Sequence, residues 1–242
     1  MTADIFESFK PQHPTIARYV DYYYLDFKPH NQVAEFECFP HYNNTISIYR
    51  SHQRWPNGDM VYTEGAGFFQ IFTPIREKVL FVRQVGMVHR LVIVFHPLGI
   101  QQFFKDLDFS GYISDFSFFN DTELKRLFHT DDTTLLIQLL DRYLLERYLN
   151  IKDSIVSTAI NQIFDFCPYL QVEELAKQSE ISRRHLNRLF NKELGLSPKK
   201  FQEIVLFRML MEKKLFSNTD DNFTALAYSL NFSDQAHMNK SF

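Results

Sequence analysis

The sequence predicts an α+β chain, with a β-rich first half that folds as a sandwich or barrel and an all-helical second half. Two patterns carry that reading. In the first hundred residues, short aromatic and β-branched runs alternate in polarity between clusters of Pro, Gly, Asn and His, the period-2 signature of strands. Beyond residue 133, apolar residues recur at helical spacing between caps and turn residues. With 45% hydrophobic residues in 242, both halves can fill a core.

The strands are read in order. Arg18–Phe27, Ala34–Cys38, Thr45–Ile48, Gly67–Phe72, Val79–Gln84 and His89–His96 each fit, and the continuous apolar run Leu91–Phe95 marks a strand buried on both faces. Pro97-Leu98-Gly99 ends the sheet, and Ile100–Phe104 is expected to open a helix that closes over one side. Residues 1–128 are read as one sensor-like domain. Residues 129–167 are expected to connect the halves through one helix over Thr133–Leu149 and a second over Asp153–Phe166, limited by Pro168. Two readings of these helices stay open, a dimerisation surface or packing on their own sheet or on the next domain. Residues 168–242 form the third segment.

Composition excludes several classes. No run approaches about eighteen uncharged apolar residues, and Met1–Lys10 lacks an apolar signal core, so a chain in the cytoplasm with no membrane partner is expected. Cys38 and Cys167 lie far apart and make no metal spacing, and His41, His52, His89 and His96 form no His-x-His pair with a following carboxylate. Neither a metal nor another cofactor is expected. The absence of phosphate-loop, nucleophile-elbow and zinc-protease motifs argues against an enzyme. The alternative kept open is a metal-dependent barrel enzyme with a nucleic-acid-binding tail.

Charge is informative when counted by region. Residues 1–150 carry 14 Lys+Arg against 18 Asp+Glu, whereas residues 151–242 carry 12 against 11. Within the second part, Arg183, Arg184, Arg188, Lys192, Lys199 and Lys200 face only Glu193, a local balance of +5 over residues 183–200. Such a patch is the electrostatic footprint of a helix that meets DNA.

That patch lies in a helix-turn-helix pattern. Val172–Ser179 forms the first helix, with Leu175 for the core and the small Ala176 at the close crossing, and Glu180-Ile181 makes the turn. Ser182 caps a second helix on which Leu186, Leu189, Phe190 and Leu194 form the apolar stripe and Arg183, Arg184, Asn187, Arg188 and Asn191 the opposite face. Arg and Asn pair bidentately with guanine and adenine edges. Gly195 suits a left-handed cap, and Ser197-Pro198 starts the next helix, about 199–216. The pattern recurs 51 residues on, where Ala227 and Ser233 match Ala176 and Ser182 and the exposed face carries Asp234, Gln235, His237, Asn239 and Lys240. Two recognition helices joined by a helix on the order of 25 Å long suit successive major grooves about 34 Å apart.

These segments, LAKQSEISRRHLNRLFNKELGLSPKKF and LAYSLNFSDQAHMNKSF, resemble the DNA-binding region of the AraC/XylS family of transcription regulators. The resemblance implies base contacts from Arg184, Asn187 and Arg188 and, in the second unit, from Gln235, Asn239 and Lys240. Arg183, Lys199 and Lys200 complete the DNA-binding set, the lysines lying where phosphate contacts are expected. The first half is similar to the cupin-like sensor domains found before such regions, and 17 of the chain's 26 phenylalanines precede residue 129, either as ligand walls or as core filling. The resemblance thus implies a regulator that binds double-stranded DNA and answers to a small effector, with RNA polymerase and a second copy as further candidate partners.

The chain departs from the family at Glu180, where the turn often has glycine, and at Leu206, where many relatives have arginine. Family members continue past the equivalent of Phe242 with a further helix and a Gly-x-x-Pro signature. A C-terminally shortened region with weakened DNA binding is therefore expected.

Overall fold

The computed structural model describes residues 3–109, 111 and 113–216. The chain divides into two units. The first comprises Met1–Cys38, Asn43–Pro74 and Phe81–Ile151, and the second comprises Phe39–Tyr42, Ile75–Leu80 and Lys152–Phe242. The α+β class is realised in this division, with the strands in the first unit and all-helical packing after Lys152.

Among the described residues, ten strands build the first unit: β1 (Ile5–Phe9), β2 (Val20–Lys28), β3 (Val33–Cys38), β4 (Asn44–Arg50), β5 (His52–Arg54), β6 (Met60–Tyr62), β7 (Phe68–Thr73), β8 (Leu80–Val85), β9 (Val88–Phe95) and β10 (Ile113–Ser114). They form a six-stranded sheet in the order β1-β2-β9-β4-β7-β10 and a four-stranded sheet in the order β3-β8-β6-β5. β9 lies inside the larger sheet, antiparallel to both β2 and β4, which accounts for its apolar run. All six strands expected from the sequence occur with ends shifted by a residue or two, whereas β1, β5, β6 and β10 carried no clear alternation.

Because side chains alternate across a strand, the larger sheet has two unlike faces. One face packs Tyr23, Ile46, Ile48, Phe72, Leu91, Ile93 and Phe95 against helices α1 (Pro14–Ala17), α2 (Asp121–Leu127) and α3 (Thr133–Glu146), and these seven sheet residues are almost wholly buried. Helix α2 starts on a capping box, in which Asn120 Oδ1 accepts from the Thr122 and Glu123 amides at 3.0 Å and Glu123 Oε2 accepts from the Asn120 amide at 2.8 Å. The buried stripe of α3 (Leu136, Leu139, Leu140, Tyr143, Leu144) is spent on this core. Asp141 of the same helix accepts from the Tyr23 hydroxyl at 2.7 Å and from the Gln12 and His13 amides at 2.8 and 2.7 Å. It ties helix, sheet and N-terminal segment at one carboxylate.

One expectation is corrected here. The segment Ile100–Phe104, expected to open a helix, lies at a single 3-10 turn over Gly99–Gln102 and no α-helix begins there. A Cβ at Gly99 would stand 2.1 Å from the Tyr19 carbonyl oxygen, so only glycine fits where this turn passes the entry to β2.

The second unit holds α4 (Ile155–Phe166), α5 (Val172–Gln178), α6 (Arg183–Leu194) and α7 (Pro198–Phe216). The two helices expected to link the halves are thus divided, α3 falling in the first unit and α4 in the second. No helix among the described residues is long and apolar enough to cross a membrane.

Candidate nucleic-acid interface

Helices α5 and α6 form the helix-turn-helix that the spacing predicts, and the local chemistry explains each boundary. Ser182 Oγ accepts the His185 amide at 3.2 Å, which satisfies an orphan donor at the start of α6. Gly195 closes the helix in the left-handed region at φ 79°. Ser197 Oγ accepts the Lys200 amide at 3.2 Å, and Pro198 sits in the first turn of α7, where its missing N–H costs nothing. In the turn, the Ile181 amide reaches the Ala176 carbonyl at 3.0 Å and Glu180 holds φ 54°. That backbone region favours glycine, and Glu180 bears the strain.

Leu175, Leu186, Phe190, Leu194 and Phe201 are at most 1% exposed and form the core of this unit, with the Phe190 and Phe201 rings meeting edge-on at 6.2 Å. Helix α4 contributes Val156, Ala159, Ile160 and Ile163. Ser154, its cap, donates to Glu193 Oε2 at 2.8 Å, and Gln202 Nε2 donates to the Leu170 carbonyl at 2.6 Å. The thiol of Cys167 is pushed up to about 11, mainly by burial, which keeps it protonated and unreactive near neutral pH.

With the apolar stripe turned inward, α6 presents Arg184, Arg188 and Asn191 on one exposed line at i, i+4 and i+7. Arg184 and Arg188 are exposed and have no hydrogen bond or ion pair among the described residues. The other expected residues are engaged to different degrees. Arg183 pairs with Glu173 at the start of α5. Asn187, half-buried, donates its amide to the Arg183 carbonyl at 2.9 Å, and Asn191 donates to the Asn187 carbonyl at 2.8 Å. Lys199 is exposed on the first turn of α7, whereas Lys200 is half-buried with Nζ 3.3 Å from Glu203. Gln235, Asn239 and Lys240 lie outside the described residues.

The Glu173–Arg183 pair was not read from the sequence. The two residues are ten apart and meet only because the turn brings the first residue of α6 beside the first turn of α5. The signal was the acidic Glu173-Glu174 pair on the first helix, which also suits the positive end of that helix's dipole.

Residues 175–242 match a family model described as a helix-turn-helix domain. A 101-residue segment is 28% identical to the lactose operon transcription activator of Staphylococcus xylosus, covering 40% of this chain and 36% of that protein. The match thus spans little more than a third of its relative. Among solved structures, ToxT from Vibrio cholerae is similar at 7% identity with a TM-score of 0.49, covering 99% of this chain and 92% of that one. A structure of ToxT bound to an unsaturated fatty acid, from V. cholerae strain SCE256, gives 8% identity and a TM-score of 0.46, with 91% and 90% covered.

Proposed function

We propose, on the premise that this chain belongs to the AraC/XylS family through its helix-turn-helix region, that it is a sequence-specific DNA-binding transcription regulator whose first unit makes it answer to a small molecule. The observation that carries the DNA-reading part is the exposed line on α6, where two arginines stand without a partner among the described residues. An unpaired guanidinium on a helix that fits the major groove has its donor fork available for guanine O6 and N7. Asn187 can add an adenine contact once its amide leaves the Arg183 carbonyl. Lys199, at the start of the following helix, suits a phosphate. In the second repeat, Gln235, Asn239 and Lys240 keep the base-facing role that the family resemblance implies.

The test is selection from a random duplex pool with the full chain, followed by titration of the enriched site in competitor DNA. A consensus bound at least about a thousandfold more tightly than bulk DNA is expected. No enrichment above competitor would overturn the reading. Responsiveness is tested in the same titration by adding metabolite fractions, since an effector must shift the affinity for DNA through a coupling free energy.

A further inference from the structure

We propose that the cleft between α2 and α3 of the first unit binds a short zwitterionic peptide of two or three residues, its carboxylate at Arg126 and Arg142 and its ammonium at Asp121 and Glu146. The site goes beyond the regulator reading and stands on the geometry of these two helices alone.

An open cleft of about 730 Å³ lies along the two helices, a size that small-ligand sites commonly have. Its charged groups are sorted by sign. Glu123 pairs with Arg147 at 2.6 Å, which sets the start of α2 beside the end of α3. Asp121 and Glu146 stand toward that end. Arg126 lies five residues further along α2 and Arg142 one turn back along α3, so the two guanidinium groups share the other end of the cleft.

These four charges are not spent on the fold. Asp121 and Arg126 are exposed, and neither side chain has a hydrogen bond or ion pair among the described residues. Arg142 Nε is 3.8 Å from Glu146 Oε1 with both side chains more than half exposed, a loose pair that water screens and that holds little. Glu123 and Arg147 behave otherwise. Glu123 Oε2 also accepts the Asn120 amide at 2.8 Å, and Arg147 also donates to the Phe118 and Tyr143 carbonyls at 3.2 and 2.9 Å. The cleft therefore keeps two cations at one end and two anions at the other.

Tyr143, 3% exposed, forms part of the wall, with the Arg142 guanidinium 5.0 Å from its ring centroid. Its hydroxyl is buried and has no partner among the described residues. Folded proteins rarely leave such a group unmatched, and a site that a ligand completes is one place where they do.

The arrangement selects the ligand. Phosphate or a dicarboxylate would satisfy the arginines and meet Asp121 and Glu146 with like charge, and a polyamine would do the reverse. A molecule with one charge of each sign answers both ends. Spacing sets its length, because five helical residues advance about 7 Å and two residues of extended chain span about the same. A free amino acid, with both charges on one carbon, reaches only one end. The peptide bond between the termini brings an N–H and a C=O, either of which can pair with a tyrosine hydroxyl.

The experiment is an NMR titration of the full chain with dialanine and trialanine, in parallel with alanine, N-acetyl-dialanine, dialanine amide, inorganic phosphate and spermidine. Saturable binding of a free peptide is expected, weakened about threefold or more by capping either terminus, by Arg126→Gln and by Asp121→Asn, each of which removes one exposed charge pair. Both substitutions fall on exposed side chains without partners, and thermal unfolding without ligand verifies that each variant folds like the parent. Capped peptides that bind as tightly as free ones, unchanged binding in a folded variant, preference for phosphate or spermidine, or no saturable binding of either peptide would each overturn the assignment.

Discussion

The arginines of the two units are used in opposite ways. In the first unit Arg90 is buried among aromatic rings with Asp26, and Arg147 sits 2.6 Å from Glu123 and within 5.1 and 5.5 Å of the Phe119 and Phe118 rings. On α6, Arg184 and Arg188 are exposed and have no partner among the described residues. A buried guanidinium must be paired, because its desolvation is otherwise uncompensated, and once paired it fixes the strands or helices around it. An exposed one contributes little to the fold and keeps its donors for a partner. Substitutions should therefore fall into two classes, those that unfold and those that only unbind.

The largest effect is expected at Asp26. Asp26→Ala leaves the Arg90 guanidinium buried without its carboxylate and should cost about 3–5 kcal/mol in urea unfolding. Pairing it with Arg90→Met should return most of that loss, because the charge goes with its partner. Arg184→Ala should change stability by no more than about 0.5 kcal/mol. If Asp26→Ala and Arg184→Ala cost the same, the division between the units is wrong.

A pH effect of the second size comes from His89. Its ring lies edge-on to Phe27 at 5.0 Å and Phe128 at 4.8 Å, and burial first, then Arg50 and His52, lower it to about 4, against a smaller opposing pull from Asp131. The folded value is depressed, so the unfolded chain takes up the proton first as pH falls. The contribution is whole above about pH 6.5 and is lost on descent toward pH 4, about 2–3 kcal/mol by pH 4.5. His52 and His96, also lowered chiefly by burial, add in the same direction. Asp21 is held below its usual 3.8 despite its burial, by Lys10, His96 and Asn43, so its loss begins lower still. Unfolding midpoints at pH 7 and pH 4.5 measure the effect, and His89→Gln should shrink the difference. An unchanged difference would place the burden on other groups.

How much of this was legible in the sequence follows from range. The helix-turn-helix was legible because its signals are local: Ser182, Gly195 and Ser197-Pro198 each state a cap within a few residues, and Leu186, Phe190 and Leu194 state a face. The core strands were legible because period 2 is also local. The short strands β5, β6 and β10 were not, having too few residues for a period. The burial of Arg90 could not be read, because in Val88-His89-Arg90-Leu91 it passes for the solvated side of a strand until a second sheet covers it. The close approach of Gly99 to the Tyr19 carbonyl joins residues eighty positions apart, and no local pattern states it. Of the expected DNA-facing residues, the sequence could place Arg183 on the right face but not beside Glu173.

The next effect is on binding alone. Arg188→Ala should cost about 1–3 kcal/mol on the best site and relax preference at one base pair, while Lys199→Ala should weaken all sequences alike and flatten the salt dependence by roughly one charge. Both variants should unfold like the parent. Equal loss across every site variant for Arg188→Ala would make it another phosphate contact. Lys200, held near Glu203, should matter less than Lys199.

The smallest effect is at the surface pair of Glu173 and Arg183, where the two readings of exposed charge meet. Both side chains are more than half exposed, so the pair belongs with the solvent-screened ion pairs that add little to stability, and Glu173→Gln should leave the unfolding midpoint nearly unmoved. Its consequence lies in availability. With Glu173 neutral, Arg183 is freed at the start of α6, beside the line of Arg184 and Arg188, and a negative charge is removed near approaching phosphates. DNA affinity should rise modestly and equally for all sequences, most clearly at low salt, where exposed charges are least screened. A rise confined to one base identity would instead make Arg183 a reader released by that substitution. A fall in affinity would mean that Glu173 positions Arg183 for contact, and that an engaged arginine on this helix is as ready for DNA as an unpaired one.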